Sequence, residues 1–80
     1  KKERQVNILR KKVIGAILRD GDKSIRRDTL INQARVNSDE LPIFDKTMER
    51  LIIELKGEIN IDSDGSPLYT FERLKRDNNL

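Results

Sequence analysis

The chain contains no cysteine, no histidine and no tryptophan. Without cysteine it forms no disulfide and offers no thiolate to a metal. Without histidine it lacks the usual zinc ligands and the commonest general base. Its four glycines stand apart, at positions 15, 21, 57 and 65, so no glycine loop cradles a phosphate. Ser24, Ser38, Ser63 and Ser66 have no recognisable base near them in the sequence. Catalysis therefore has little support, and no cofactor is expected. No apolar run approaches the roughly 18 residues that a membrane helix needs, and no signal peptide is visible. The chain gives no evidence for a secreted setting, so a cytoplasmic one is the expectation by default. The opening Lys1 in place of methionine is the pattern of a segment from a longer protein.

What is present is charge. Of the 80 residues 39% are charged and 35% are hydrophobic. That is apolar enough for one small core and too apolar for a disordered tail. The net charge of +3 is unevenly spread. Residues 1–35 carry eleven Lys or Arg and four Asp or Glu, a net of +7. Residues 36–66 carry three and eight, a net of −5. A basic first half meets an acidic middle, and such blocks govern the choice of partner.

The apolar periodicity lays out the elements. Val6, Leu9, Val13, Ala16 and Ile17 share one face of a helix over Glu3–Arg19, widened by Ile14 and Leu18. Gly21 is its expected left-handed stop. A short extended stretch follows, with Ile25 pointing inward. Asp28 is the expected N-cap of a second helix, Thr29 to about Arg35, with Leu30, Ile31 and Ala34 on one face. The clearest helix begins near Pro42. It carries Phe44, Met48, Leu51, Ile52 and Leu55 as one stripe and ends at Gly57. An alternative start at Ser38, with Asn37 as cap and Glu40 reaching back, would place Pro42 inside the helix. Glu58–Ile61 and Leu68–Phe71 alternate like strands around the turn sequence Asp62-Ser63-Asp64-Gly65-Ser66. Residues 1–72 are read as one domain, and residues 73–80 as a polar tail that frays.

Two segments carry a resemblance: "IRRDTLINQARV" (Ile25 to Val36) and "MERLIIELKGEINIDSDGSPLYTF" (Met48 to Phe71). Together with the order helix, short strand, helix, helix, hairpin, they resemble winged helix-turn-helix domains over roughly Gln5 to Phe71. The resemblance implies an α+β fold of three helices, a short first strand and a C-terminal hairpin wing. It also implies a regulatory or accessory binding module. DNA binding and pure protein interaction both occur on that fold.

For nucleic acid, the candidate contacts are Lys11, Lys12, Arg26, Arg27, Lys46 and Arg50. Arg4 and Arg19 extend the basic face of the first helix. Lys46 and Arg50, on the outward face of the third helix, would lie nearest any bases. Glu49 and Ile53 share that face and are poor base readers. Intrahelical pairing among Asp45, Glu49 and Arg50 would leave it an ordinary solvated surface. The wing carries Asp62 and Asp64 and no cation, against the usual docking on DNA. For a protein partner, the candidates are Ile53, Glu49 and Ile8, the two isoleucines standing on otherwise polar faces. Asn60-x-Asp62-x-Asp64-Gly65 matches half of a calcium loop. Its twelfth position is Phe71, where the bidentate Glu is required, so an ordinary Asp-Gly turn is the better reading. Neither a membrane nor a small-molecule substrate is expected, since the apolar face of the first helix is needed by the core.

Overall fold

In the computed structural model, which describes residues 2–78, helix α1 (Lys2–Arg19) leads to a three-residue strand β1 (Ser24–Arg26). Helices α2 (Arg27–Gln33) and α3 (Leu41–Glu54) follow. Strands β2 (Glu58–Ile61) and β3 (Pro67–Thr70) form a hairpin, and helix α4 (Glu72–Asn78) closes the described chain. The fold is α+β: four helices and one antiparallel sheet in the order β1-β3-β2. Tyr69 of β3 lies opposite Ile25 on one side and Ile59 on the other.

The expected apolar faces meet in one core. Leu9, Val13, Ala16 and Ile17 of α1 pack with Leu30 and Ala34, with Phe44, Met48 and Leu51 of α3, and with Ile25, Tyr69 and Phe71. Each large side chain buried there contributes on the order of 1.5–3 kcal/mol. Leu18 stays 39% exposed and widens the face less than expected.

The local stops differ from expectation. Gly21 is not left-handed; Gly65 is the glycine with positive φ, closing the β2–β3 hairpin as its N–H donates to the Asp62 carbonyl. α1 is instead finished by a distant cation: Lys75 Nζ donates to the carbonyls of Asp20, at 2.9 Å, and Asp22. α2 begins at Arg27, two residues earlier than expected, with extended Arg26 as its N-cap and no side-chain cap. Asp28 lies in the first turn, where its charge suits the helix dipole. α3 begins at Leu41 with Pro42 in its first turn, as preferred from the sequence. Glu40 nevertheless reaches back, accepting the Asn37 N–H at 2.8 Å.

Two helices end on left-handed residues that are not glycine: Arg35 (φ 55°) after α2 and Lys56 (φ 58°) after α3. In each, the next N–H bonds five residues back, Val36 to Ile31 and Gly57 to Ile52, the Schellman pattern. Gly57 therefore serves another purpose than the expected stop. A Cβ there would stand 2.6 Å from the Phe71 ring, so the glycine admits that ring to the core.

The expected frayed tail is helical through Asn78. Seven residues form no stable helix alone. α4 is held by Leu74 against the core, by Lys75 on the end of α1 and by an exposed Lys23–Glu72 pair.

Candidate nucleic-acid interface

The acidic middle of the chain folds back onto the basic first half, and much of the charge cancels. Arg27, at the start of α2, donates from Nε and Nη2 to the two Asp45 oxygens at 2.9 and 3.0 Å. Its guanidinium also lies over the Phe44 ring, 5.5 Å from the centroid. The bidentate bond to Asp45 raises the Arg27 pKa further. Asp45 thus leaves its own helix for α2 and takes no part in the intrahelical pairing expected of it.

Arg26 closes the turn between β2 and β3. Its Nη2 donates to Asp64 at 2.8 Å and to Ser66 Oγ at 3.0 Å. Its Nε lies 3.5 Å from Asp62. Hydrogen bonds from Ser63, with Arg26 adding to them, hold the Asp62 carboxyl below the usual range. The two aspartates of the half calcium motif are therefore turned to a cation of the protein itself.

Lys12 joins α1 to the α2–α3 turn. Its ammonium donates to Glu40 at 2.9 and 3.2 Å and to the Arg35 carbonyl at 3.4 Å. Burial pushes the Glu40 carboxyl up, but the Asn37 N–H and Lys12 outweigh it and hold it below 4.5. On the far flank of α1, Arg10 makes two bonds to Glu54 of α3, at 2.7 and 3.3 Å. Of the six cations read as nucleic-acid contacts, Lys12, Arg26 and Arg27 are thus occupied within the fold.

Lys11, Lys46 and Arg50 are exposed and take no ion pair among the described residues. Lys46 and Arg50 share α3 with exposed Glu49 and with Ile53, which is 75% exposed. They line a shallow groove between α3 and the start of α1. Ile8, 44% exposed, lies beside Arg4, Asn7 and Lys11.

Lys11 belongs to a larger basic groove. It runs between the outer face of α1 and the C-terminal end of α2. Lys11, Lys12, Arg19, Asn32, Gln33 and Arg35 line it. Its volume, about 920 Å³, is in the range of small-molecule pockets, but those are lined mainly by apolar side chains. This groove is open and lined by cations and amides. The one carboxylate on its rim, Asp20, faces Lys75 at 3.8 Å. Lys11, Arg19 and Arg35 take no ion pair among the described residues. Arg4 continues the basic face along α1 through Lys11. The C-terminal dipole of α2 favours a cation at position 35. Arg35 carries its charge on left-handed backbone, a conformation that glycine adopts without strain.

Arg35, Asn32 and Gln33 escaped the sequence reading because they flank Ala34 on the solvent side of the end of a short helix. The signal was the unusually polar "NQAR" run at its end. A second charged group, of mixed sign, brings Lys56, Arg73 and Arg76 together with Glu58, Thr70 and Glu72. It became visible only with α4 formed. No family model, curated protein or solved structure matches this chain.

Proposed function

We propose that the chain is a winged-helix domain that binds nucleic-acid phosphates, without reading base sequence, through the α1–α2 groove. The element order and the sheet order β1-β3-β2 support the winged-helix assignment, with α4 as an addition. One observation carries the functional reading. The cations that a winged helix would offer through its wing and the start of α2 are spent internally, as Arg26 on Asp62 and Asp64 and Arg27 on Asp45. Lys11, Arg19 and Arg35 are left around one open groove. Phosphate contacts of this kind position a duplex and carry no sequence information. The amides Asn32 and Gln33 add hydrogen bonds to phosphate or sugar. α3 contributes Lys46 and Arg50 at most, since Glu49 and Ile53 share its outer face.

The test is a chemical-shift titration of the isotope-labelled chain with a mixed-sequence DNA duplex. The expected outcome is shifts concentrated at Lys11, Arg19, Asn32, Gln33 and Arg35 at low salt, fading at physiological salt. Shifts centred on the wing and α3 would sink the groove and restore ordinary docking. Flat spectra at low salt would sink nucleic-acid binding altogether. A protein-interaction module is the second reading, favoured by the open, apolar edge of β2.

A further inference from the structure

We infer that Gly15 is a positioning residue of the phosphate site: it seats the Arg19 guanidinium on the bare surface of α1, on the side of Lys11, a role that rests on the phosphate-binding reading of the α1–α2 groove. Arg4, Ile8, Lys11, Gly15 and Arg19 follow one another at steps of four, three, four and four residues. At helical spacing they form one stripe along α1. Gly15 stands in that stripe between two cations, about one turn from each. The position is unfavourable for glycine. Inside a helix only proline is a poorer residue, and α1 runs unbroken from Lys2 to Arg19.

The core does not require the glycine. Gly65 takes positive φ, and Gly57 admits the Phe71 ring. Gly15 does neither: it is helical, and a Cβ added there would meet no core side chain within 4 Å. The one side-chain atom it would meet beyond its chain neighbours is Arg19 Nη1, at 3.1 Å, tighter than an ordinary van der Waals contact. Side chains on a helix lean back towards its N-terminus. Arg19 accordingly lies down over the preceding turn, in the space that the missing Cβ leaves.

No internal acceptor holds the guanidinium there. Arg19 takes no ion pair among the described residues. Its neighbour Asp20 is engaged elsewhere, accepting the Asp22 N–H at 3.2 Å and facing Lys75 at 3.8 Å. Lys12, on the edge of the same face, is held by Glu40. The glycine thus keeps an uncommitted guanidinium about 6 Å along the helix axis from the Lys11 position, and both cations line the groove. A side chain at position 15 would lift the guanidinium towards solvent. An arginine that must then be ordered on binding gives up rotamer freedom, and affinity falls with it. Glycine at this position sacrifices helix stability for a preorganised phosphate contact.

The experiment compares Gly15→Gln, Arg19→Gln and the double variant with the parent chain, by urea denaturation and by binding to a mixed-sequence DNA duplex at about 50 mM NaCl. Gly15→Gln leaves the net charge unchanged and fills the seat with a good helix former. Its unfolding equilibrium constant should be about threefold lower than the parent's, while its duplex affinity should be about fivefold weaker. Arg19→Gln should weaken binding about tenfold. Adding Gly15→Gln to it should then change the affinity by less than about twofold, because the glycine acts through Arg19. A Gly15→Gln chain less stable than the parent would show that the fold itself needs the glycine, and overturns the role. Binding by Gly15→Gln as tight as the parent's overturns it too and leaves the groove standing. So does a loss from Gly15→Gln that is the same with and without Arg19. A parent chain that fails to bind the duplex at about 50 mM NaCl removes the phosphate site and this role together.

Discussion

Arg35 illustrates what a single residue can reveal when its backbone is read together with its charge. Left-handed backbone costs an L-residue with a Cβ roughly 1 kcal/mol relative to glycine. A helix C-terminus returns about 0.3–1 kcal/mol to a cation, and a phosphate partner would add a reason to keep arginine. These contributions separate in two variants. Arg35→Ala keeps the strain and loses the charge; Arg35→Gly loses both. Chemical denaturation should find the glycine variant about 1 kcal/mol more stable than the alanine variant. Both should bind duplex DNA more weakly by the same factor. Equal stability of the two would contradict the left-handed backbone at position 35. The sequence could not show this residue's role, because nothing within a few positions requires the turn there. Gly57 is the reverse case. It was legible as a stop, yet its reason is the Phe71 ring, fourteen positions away in the chain, and the left-handed duty falls on Lys56.

Between elements, what was legible divides by range. α1, α3 and the hairpin were visible because apolar residues recur at helical or strand spacing, and Phe44, Met48 and Leu51 are buried as their stripe required. α4 was invisible: its seven residues hold one packed apolar side chain, Leu74, and its main anchor is the far end of α1. The α1–α3 connection through Glu40 was half legible, as a carboxylate reaching back to Asn37. Its other partner, Lys12, is 28 positions away. That connection should be pH-dependent. The folded Glu40 pKa lies below its ordinary 4.5, so the unfolded chain binds the proton more readily. Its stabilisation is complete above 4.5 and is lost as the pH falls through the lowered folded value. Glu40→Gln keeps an oxygen for the Asn37 N–H and removes the charge facing Lys12. At neutral pH it should cost about 1–2 kcal/mol in urea denaturation, and the gap to the parent chain should close as the pH falls below 4.5 and through the lowered folded value. A gap constant across that window would mean that the ion pair contributes nothing.

At the scale of the whole molecule, the uneven charge of the sequence was legible, and its cancellation was not. Counting residues gives a +7 half and a −5 middle, but only folding decides which cations are spent. Arg10, Lys12, Arg26 and Arg27 each take a carboxylate from the acidic middle, and the groove keeps Lys11, Arg19 and Arg35. Salt should therefore act on the two sets differently. Exposed ion pairs contribute about 0–1 kcal/mol each and are already weakened at moderate ionic strength. Raising NaCl from about 50 to about 500 mM should thus change folding stability by less than about 1 kcal/mol. Three phosphate contacts give a slope of about −2.7 in log affinity against log salt, so the same change should weaken duplex binding roughly 500-fold. Each groove cation replaced by alanine should reduce the slope by about one, whereas Arg26→Ala or Arg27→Ala should leave it unchanged and lower stability instead. Duplex binding indifferent to salt would exclude phosphate contacts as its basis. A slope that falls with Arg26 or Arg27 would show that the internal pairs open on binding, and the β2–β3 hairpin turn would then be part of the interface.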